Sequence, residues 1–436
     1  MRGPLVDPLS GAGRLASLQP LSHRDFALVW FAALVSNIGS WMQTVAVGVL
    51  ITDLTGRAGW TGLVAAAAFV PIGLLSPVGG AIADRVDRRR LLLGTAVAEA
   101  VFAAALAAVV ASGRAGPASV TLLVLGGGCM MALGLPAFQA ILPDLVPREE
   151  LLAASSLGLA GYNLGRVVGP ALAGLVLAVS SFTWAFALNA ASFGAVVIAL
   201  IVVRIPDPAR SEETSGLMAR IVAGARGAVA EPGCRLAIAT IAVVALLLSP
   251  FIALVPAIAI KLFHSGETGT SVLITAQGVG AVAGALLLAP AARRVGRSRL
   301  LVGNLLVLPV LMAAYAASPN LASATVAILA VGMAYVGVLS GLGTVVQLRA
   351  PESLRARILS LYMVALGVVY PLGAVVQGVL GDHFGLRAVT AGTAAAFLVI
   401  ALAVVARRPS LAAGFDDPVA SGTADPAASP SVLPAS

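Results

Sequence analysis

The chain has 436 residues, of which 59% are hydrophobic and 11% are charged. Soluble globular domains average about 25% charged residues, so this composition excludes an ordinary soluble protein and predicts an all-α polytopic membrane protein. The formal net charge of +8 is then expected to lie in loops between membrane helices, and no nucleic-acid partner is expected.

Apolar runs that are long enough to cross a bilayer recur along the whole chain. A helix needs about 20 mostly apolar residues to cross about 30 Å of hydrocarbon. Twelve such spans are predicted, at residues 26–52, 60–82, 91–111, 118–140, 152–179, 182–203, 236–262, 270–291, 300–317, 321–346, 358–380 and 386–406. The polar, Pro-rich start of the chain is not expected to be a signal peptide.

The basic residues predict how the spans are oriented. Most of the 27 Lys and Arg residues fall before span one, after even-numbered spans, or in the tail. By the positive-inside rule, both termini are then cytoplasmic in a bacterial-type cell membrane. The predicted organisation is a cytoplasmic segment 1–25, a six-helix bundle 26–204, a cytoplasmic linker 205–235, a second bundle 236–406 and a disordered cytoplasmic tail 407–436.

The chain also repeats itself. Residues 80–92 align with residues 289–301, and Pro147, Ser156 and Gly169 match Pro351, Ser360 and Gly373 at one constant offset. Two six-span halves follow from this repeat, as expected for a transporter built around a central site.

A charged hairpin joins spans two and three. It resembles the signature loop of the major facilitator superfamily, with Asp87 where that family commonly has glycine; the matched residues are Gly80, Asp84, Arg85, Arg88 and Arg89. The resemblance implies the major facilitator fold and a gating loop that latches the two bundles together on the cytoplasmic side. Asp84 would face the positive amino-terminal end of span eleven, near Ile358. Alternatively, the Arg cluster only sets topology.

Further motifs narrow the resemblance. SNIGSWMQ at 36–43, LTG at 54–56, LPDLVPREELLAASSL from 142 and NLGRVVGPALAG from 163 resemble the branch of this superfamily that contains the enterobactin exporter and the transmembrane secretion effectors. These motifs cover spans one to five. The resemblance implies that the chain exports its substrate.

Span five resembles the antiporter motif of drug exporters, through Gly165, Gly169, Pro170 and Gly174. Ser156 and Ala173 replace two of that motif's glycines, so the match is partial. Glycines at four-residue spacing also permit close helix packing, which is the alternative interpretation.

Two ionisable side chains lie deep within predicted spans. Arg166 in span five should face the bundle interior, because a charge there costs at least about 2.5–3.5 kcal/mol. Its predicted role is either substrate contact or pairing with a neighbour such as Asn163. Glu99 in span three is a candidate proton carrier, with a structural hydrogen bond as the alternative. Asp25 at the cytoplasmic mouth is a second proton-coupling candidate.

In the superfamily that the chain resembles, spans one, four, seven and ten line the cavity. The substrate candidates there, in addition to Arg166, are Asn37, Trp41, Gln43, Met131, Gln139, Tyr335 and Gln347. A mainly apolar wall with scattered amides favours amphipathic organic molecules over sugars.

No enzyme, nucleotide-binding or metal-binding signature is present, so no enzymatic activity, cofactor or metal is expected. The resemblance implies alternating access, and the sequence predicts a proton-coupled exporter of a small amphipathic compound such as a drug, siderophore or secondary metabolite. The alternatives are a proton-coupled uptake symporter and a non-transporting membrane sensor. The expected partners are the substrate, protons and the lipid bilayer, and the chain is expected to be a monomer.

Overall fold

The computed structural model describes residues 18–203, 225–351 and 354–407. Within these ranges the chain is helical and contains no β-strand. Twelve helices are long and apolar enough to cross a membrane, as the sequence predicts. They are α1 Arg24–Thr55, α2 Ala58–Ala83, α3 Arg88–Ala111, α4 Pro117–Asp144, α5 Leu151–Val179, α6 Phe182–Val202, α7a Pro232–Leu247 with α7b Phe251–Phe263, α8 Gly266–Val295, α9 Arg297–Ala317, α10 Leu321–Arg349, α11 Arg355–Phe384 and α12 Leu386–Arg407.

Parts of three predicted segments lie outside the described residues. They are most of the segment before α1, much of the linker between the halves, and the tail beyond residue 407. The helices also extend a few residues past the predicted spans, because capping groups rather than the last apolar residue end them. Asp87 caps α3 by accepting from the Arg90 N–H, and Gly56 ends α1 with a φ of 62°.

The span predicted over 236–262 is confirmed as Pro232–Phe263, but its helix breaks between Leu247 and Phe251, which the sequence pattern does not predict. Pro250 lacks an amide hydrogen and therefore cannot donate the next backbone hydrogen bond of the helix. The Gln377 side chain of α11 donates to the carbonyls of Leu246 and Leu247, at 2.9 and 3.0 Å. The carbonyl groups released at the break are therefore hydrogen-bonded from another helix.

The helices pack in two equivalent sets, which confirms the predicted repeat. In the first half, α2 packs on α4, α3 on α6 and α1 on α5; in the second half, α8 packs on α10, α9 on α12 and α7a on α11. The halves meet where α2 packs on α11 and α5 packs on α8, and α7b also packs on α1 and α2. Any cavity between these interfaces has walls from both halves.

Two faces of the molecule are distinguished below by their helix ends. The basic side is the face at which α1, α3, α5, α7a, α9 and α11 begin. The opposite side is the face at which α2, α4, α6, α8, α10 and α12 begin. Arg88, Arg89 and Arg90 at the start of α3 lie on the basic side, and Lys261 near the end of α7b lies on the opposite side.

The glycines of α5 bring it into close contact with α1, as their spacing predicts. A methyl group at Gly165 would lie 2.8 Å from Asn37 Cβ. One at Gly169 would lie 2.6 Å from Trp41 Cβ and 2.7 Å from the Ile38 carbonyl oxygen. All three distances are shorter than van der Waals contact, so these positions have no room for a larger residue. The packing interpretation of the motif is confirmed, and its antiport role stays a prediction.

Gly169→Ala is therefore expected to destabilise the protein by about 1–3 kcal/mol, because α5 must move away from α1. Thermal unfolding in detergent, followed by circular dichroism, measures the change. Gly194→Ala in α6 is the matched control, since a methyl group there would meet nothing within 4 Å. Equal stability of the two variants would contradict this packing.

Candidate functional site

A cavity of about 160 Å³ lies mainly among helices of the first half and is closed by residues of the second half. Its wall is mainly apolar and aromatic, with contributions from helices of both halves. The lining includes Trp41, Gln43 and Thr44 of α1, Phe69 of α2, Glu99 and Phe102 of α3, Met131 of α4, Asn189 and Phe193 of α6, Ile252 and Pro256 of α7b, Ile274 of α8 and Tyr370 of α11. We call this space the central cavity.

Apart from the hydroxyl of Tyr370, the polar side chains of the central cavity come from the first half. Gln43 accepts a hydrogen bond from Asn189 through its side-chain oxygen, at 2.9 Å. Glu99 is the one acidic residue among those that line the cavity. No hydrogen bond joins its carboxyl group to another described residue. Glu99 therefore faces the cavity, and the alternative of a structural hydrogen bond finds no partner in the described part of the chain.

The predicted substrate residues divide into two groups. Trp41, Gln43 and Met131 line the central cavity. Four others lie outside its wall: Asn37 packs beside Gly165, Tyr335 donates through its hydroxyl to Ser249 Oγ at 2.9 Å, and Gln139 and Gln347 are exposed near the basic side. Residue type alone did not separate these groups, because the rotation and depth of each helix decide which side chains face inward.

Arg166 lies at the interface where α5 meets the second half. Its guanidinium carbon is 5.9 Å from the centroid of the Trp41 ring, within range of a cation–π interaction. Asn163, a predicted partner, donates instead to the Leu159 carbonyl at 3.0 Å. No acceptor among the described residues bonds to the Arg166 guanidinium. It faces a second cavity, of about 30 Å³, together with Gln277 of α8.

The predicted gating loop is held by its own half. Arg88 donates to Asp144 at the end of α4, at 3.1 Å, and Arg89 donates to the Leu200 carbonyl of α6 at 2.6 Å and also to that of Ile201. These carbonyls belong to the last turn of α6, whose negative dipole end favours a cation. The loop is thus fastened to α4 and α6.

The latch contact itself is not formed in this conformation. Asp84 and Arg85 are exposed, and the Asp84 carboxylate has no hydrogen-bond or ionic partner among the described residues. Gly80 lies beside Pro136 of α4, and Ile358 is fully buried. The predicted contact between Asp84 and the start of α11 stays a prediction for another state.

An ion pair in the second half lies on the same side as the gating loop. Glu231, which precedes α7a, accepts from the Arg349 guanidinium at 3.0 Å and from the Cys234 amide at 2.5 Å. Burial alone would raise the pKa of Glu231, but these hydrogen bonds outweigh it and hold that pKa below its ordinary value. The pair joins the start of α7a to the end of α10.

On the opposite side, Asp382 at the end of α11 joins the two halves. Its carboxylate accepts from the amides of Ala58 and Gly59, at 2.8 and 2.9 Å, and from Lys261 Nζ at 2.9 Å. The two amides open α2, where the first-turn N–H groups have no intrahelical acceptor. This acid at a helix end is therefore hydrogen-bonded within the protein and is only partly exposed. Few basic residues lie on this side, and that scarcity was the sequence signal that could have identified Lys261 as a partner of Asp382.

Asp25 has a simpler environment. It lies in the first turn of α1 on the basic side, where a carboxylate stabilises the helix through the dipole. Its side chain is half-buried and forms no ion pair with another described residue. Its proton-coupling role stays a prediction.

The chain resembles known membrane proteins along most of its length. Residues 15–422 match the family model described as "Transmembrane secretion effector". The chain is 30% identical over 393 residues to the "Multidrug efflux pump Tap" of Mycobacterium tuberculosis, which covers 87% of this chain and 90% of the relative. It is 30% identical over 216 residues to the "Enterobactin exporter EntS" of Shigella boydii, which covers 48% of this chain and 50% of the relative.

Solved structures agree on the fold. A bacterial homolog of the human lysosomal transporter Spinster superposes with a TM-score of 0.71 at 15% identity, covering 91% of this chain and 96% of that one. The nucleoside transporter NupG superposes with a TM-score of 0.70 at 14% identity, covering 88% and 98%. With the family match and the twelve helices, these similarities assign the chain: it is a multi-pass membrane protein that belongs to the transmembrane secretion effector family of the major facilitator superfamily.

Proposed function

We propose that this protein exports a small amphipathic organic compound in exchange for protons, by alternating access. The observation that carries the proposal is the central cavity, whose apolar and aromatic wall includes helices of both halves and a single acidic residue, Glu99. Apolar walls with a few polar groups suit amphipathic ligands. The names of the relatives, a multidrug efflux pump and an enterobactin exporter, support export over uptake.

The direction of export follows from the charge asymmetry. The basic side is cytoplasmic under the positive-inside rule, and the opposite side faces outward. The hydrogen bonds of Asp382 join the halves on the outward side, whereas the pairs Arg88–Asp144 and Glu231–Arg349 on the basic side each lie within one half. This asymmetry supports a state that is closed outward and loads substrate from the cytoplasm.

Coupling is assigned to Glu99. A carboxyl group in an apolar wall exchanges a proton with whichever side the cavity opens to, and its charge is costly at that depth unless substrate or water accompanies it. Proton release inward and substrate release outward are then linked through one site. Asp25 at the cytoplasmic mouth is the second candidate for this exchange, and the monomer is the functional unit.

Everted membrane vesicles test this function. An imposed pH gradient, acidic inside, should drive accumulation of an exported compound from a panel of macrolides, siderophores and cationic dyes. Dissipating the gradient with a protonophore should end accumulation. Flux with the opposite sign would identify an uptake symporter, and the absence of any pH-dependent flux across the panel would contradict transport.

The gating loop yields a separate prediction. Asp84→Asn should lower turnover by several fold, because the state in which the latch is formed loses a contact. Membrane insertion should stay intact, because the number of Arg residues that set the topology is unchanged. Initial transport rates, normalised to protein in the membrane, measure the change. Glu149→Gln removes another exposed acid on the same side and serves as the control. Wild-type turnover of Asp84→Asn would contradict a latch.

A further inference from the structure

Two side chains that carry hydrogen-bond donors line one small cavity at the interface between the halves. Gln277 of α8 is 3% exposed, and its side-chain Nε2 has no hydrogen-bond partner among the residues that the structure describes. The Arg166 guanidinium of α5 carries five N–H donors and bonds to no acceptor among the described residues. An unpaired buried donor costs about 1–3 kcal/mol, and a charged one costs more. Gln277 Nε2 is such a buried donor, and the half-buried Arg166 lines the same small cavity, so this site lacks an acceptor.

The backbone geometry holds these donors together. Gly278 allows α8 to approach α5 closely, since a methyl group there would lie 3.2 Å from Val167 Cγ2 and 3.5 Å from the Arg166 carbonyl oxygen. The Trp41 ring lies beside the guanidinium, 5.9 Å from ring centroid to Cζ. An aromatic face orients a planar guanidinium and limits its motion. The fork of donors is therefore positioned before any ligand arrives.

The small cavity between these donors is sized for one polar group. Its volume is about 30 Å³, and a single water molecule needs about 10–15 Å³ by a comparable measure. It shares Trp41, Thr44, Ile252 and Ile274 with the central cavity. A molecule whose apolar body occupies the central cavity can therefore extend one small group to Arg166 and Gln277.

We infer that Arg166 and Gln277 form a subsite for the carboxylate of the transported compound, so that amphipathic carboxylic acids are the preferred substrate class. The inference rests on the proposed export function. A carboxylate only accepts hydrogen bonds and matches the guanidinium fork in two places, whereas an ester offers no charge and an ammonium offers no acceptor. Because Arg166 belongs to the first half and Gln277 to the second, the bound carboxylate contacts both halves.

Two dyes that differ at one group test the subsite. Rhodamine 110 has a free carboxylate, and rhodamine 123 is its methyl ester. Fluorescence anisotropy with the purified full-length protein in nanodiscs should give at least about tenfold tighter binding for rhodamine 110, the ratio expected for hydrogen bonds to a charged group. Arg166→Gln and Gln277→Glu should each remove this preference, so that the ratio of the two affinities falls from about tenfold to about one.

Gln277→Glu separates binding from packing. The substitution puts a carboxylate beside Arg166 at nearly unchanged volume. If Arg166 only supports packing, its environment is kept. If Arg166 belongs to a subsite, the new carboxylate occupies the place of the ligand's carboxylate. Arg166→Lys keeps the charge without the fork and should fall between wild type and Arg166→Gln. Arg114→Gln, in the exposed loop between α3 and α4, is the control for loss of one positive charge.

Three results would overturn the subsite: equal affinity of the wild type for both dyes, no binding of rhodamine 110, or equal losses for both dyes in the variants. A chloride titration distinguishes the source of the anion. Suppose that chloride stabilises the wild-type protein but not Gln277→Glu, and that rhodamine 110 binds no more tightly than rhodamine 123. The site then binds inorganic anions, and the inference fails. Export of rhodamine 123 under a pH gradient, measured separately, decides whether the proposed function stands when the subsite does not.

Discussion

Glu99→Gln is expected to abolish pH-driven uphill export and to leave substrate binding intact. Glutamine keeps the shape of the side chain but carries no exchangeable charge, so the proton would no longer be linked to substrate movement. Glu99 lines the central cavity and has no hydrogen-bond partner among the described residues, so the substitution breaks no described structural contact. Loss of coupling should therefore appear without loss of folding.

Two assays in proteoliposomes distinguish coupling from transport. Accumulation is measured in liposomes without dye, and exchange is measured in liposomes loaded with an exported dye. With an imposed pH gradient, accumulation by Glu99→Gln should fall to the level of protein-free liposomes, while dye-for-dye exchange without a gradient should persist. Glu149→Gln, an exposed acid on the basic side, controls for the change of residue type. Normal pH-driven accumulation by Glu99→Gln would return Glu99 to a structural role and make Asp25 the next candidate.

Asp382→Ala is expected to open the opposite side of the protein. The carboxylate accepts hydrogen bonds from Ala58, Gly59 and Lys261, and only 19% of its side-chain surface is exposed. A hydrogen bond to a charged group is worth about 1.5–3 kcal/mol, so loss of even one of the two bonds to α2 should shift the balance of states by roughly tenfold to a hundredfold. Asp382→Asn retains one oxygen acceptor and should give a smaller shift.

Spin labels measure this shift directly. In a background without Cys129 and Cys234, labels at Arg114 and Thr268 report the distance between the halves on the opposite side. The distance distribution should lengthen in Asp382→Ala and transport should slow, because the outward-closed state becomes rarer. Glu267→Gln, an acid in the first turn of α8, is the matched control on that side. An unchanged distribution would exclude Asp382 from the closure.

The broken helix α7 illustrates one limit of sequence reasoning. The apolar run predicted a single span, and hydropathy cannot detect that α7 stops at Leu247 and resumes at Phe251. Pro250 indicated a local disturbance. The break is tolerated because Gln377, which lies far away in the sequence on α11, donates to the released carbonyls. That compensation depends on how α11 packs, which no local pattern contains.

The amino-acid sequence was enough to predict the twelve spans, the internal repeat, the family and the capacity of span five for close helix packing. Each depends on a local property: apolar length, residue spacing or a short motif. It also identified Arg166 and Glu99, because an ionisable side chain within an apolar run is conspicuous. Which polar groups meet could not be predicted in this way. Asp382 with the start of α2, and Arg166 with Gln277, come together because helix rotation, tilt and crossing are set by packing between distant parts of the chain.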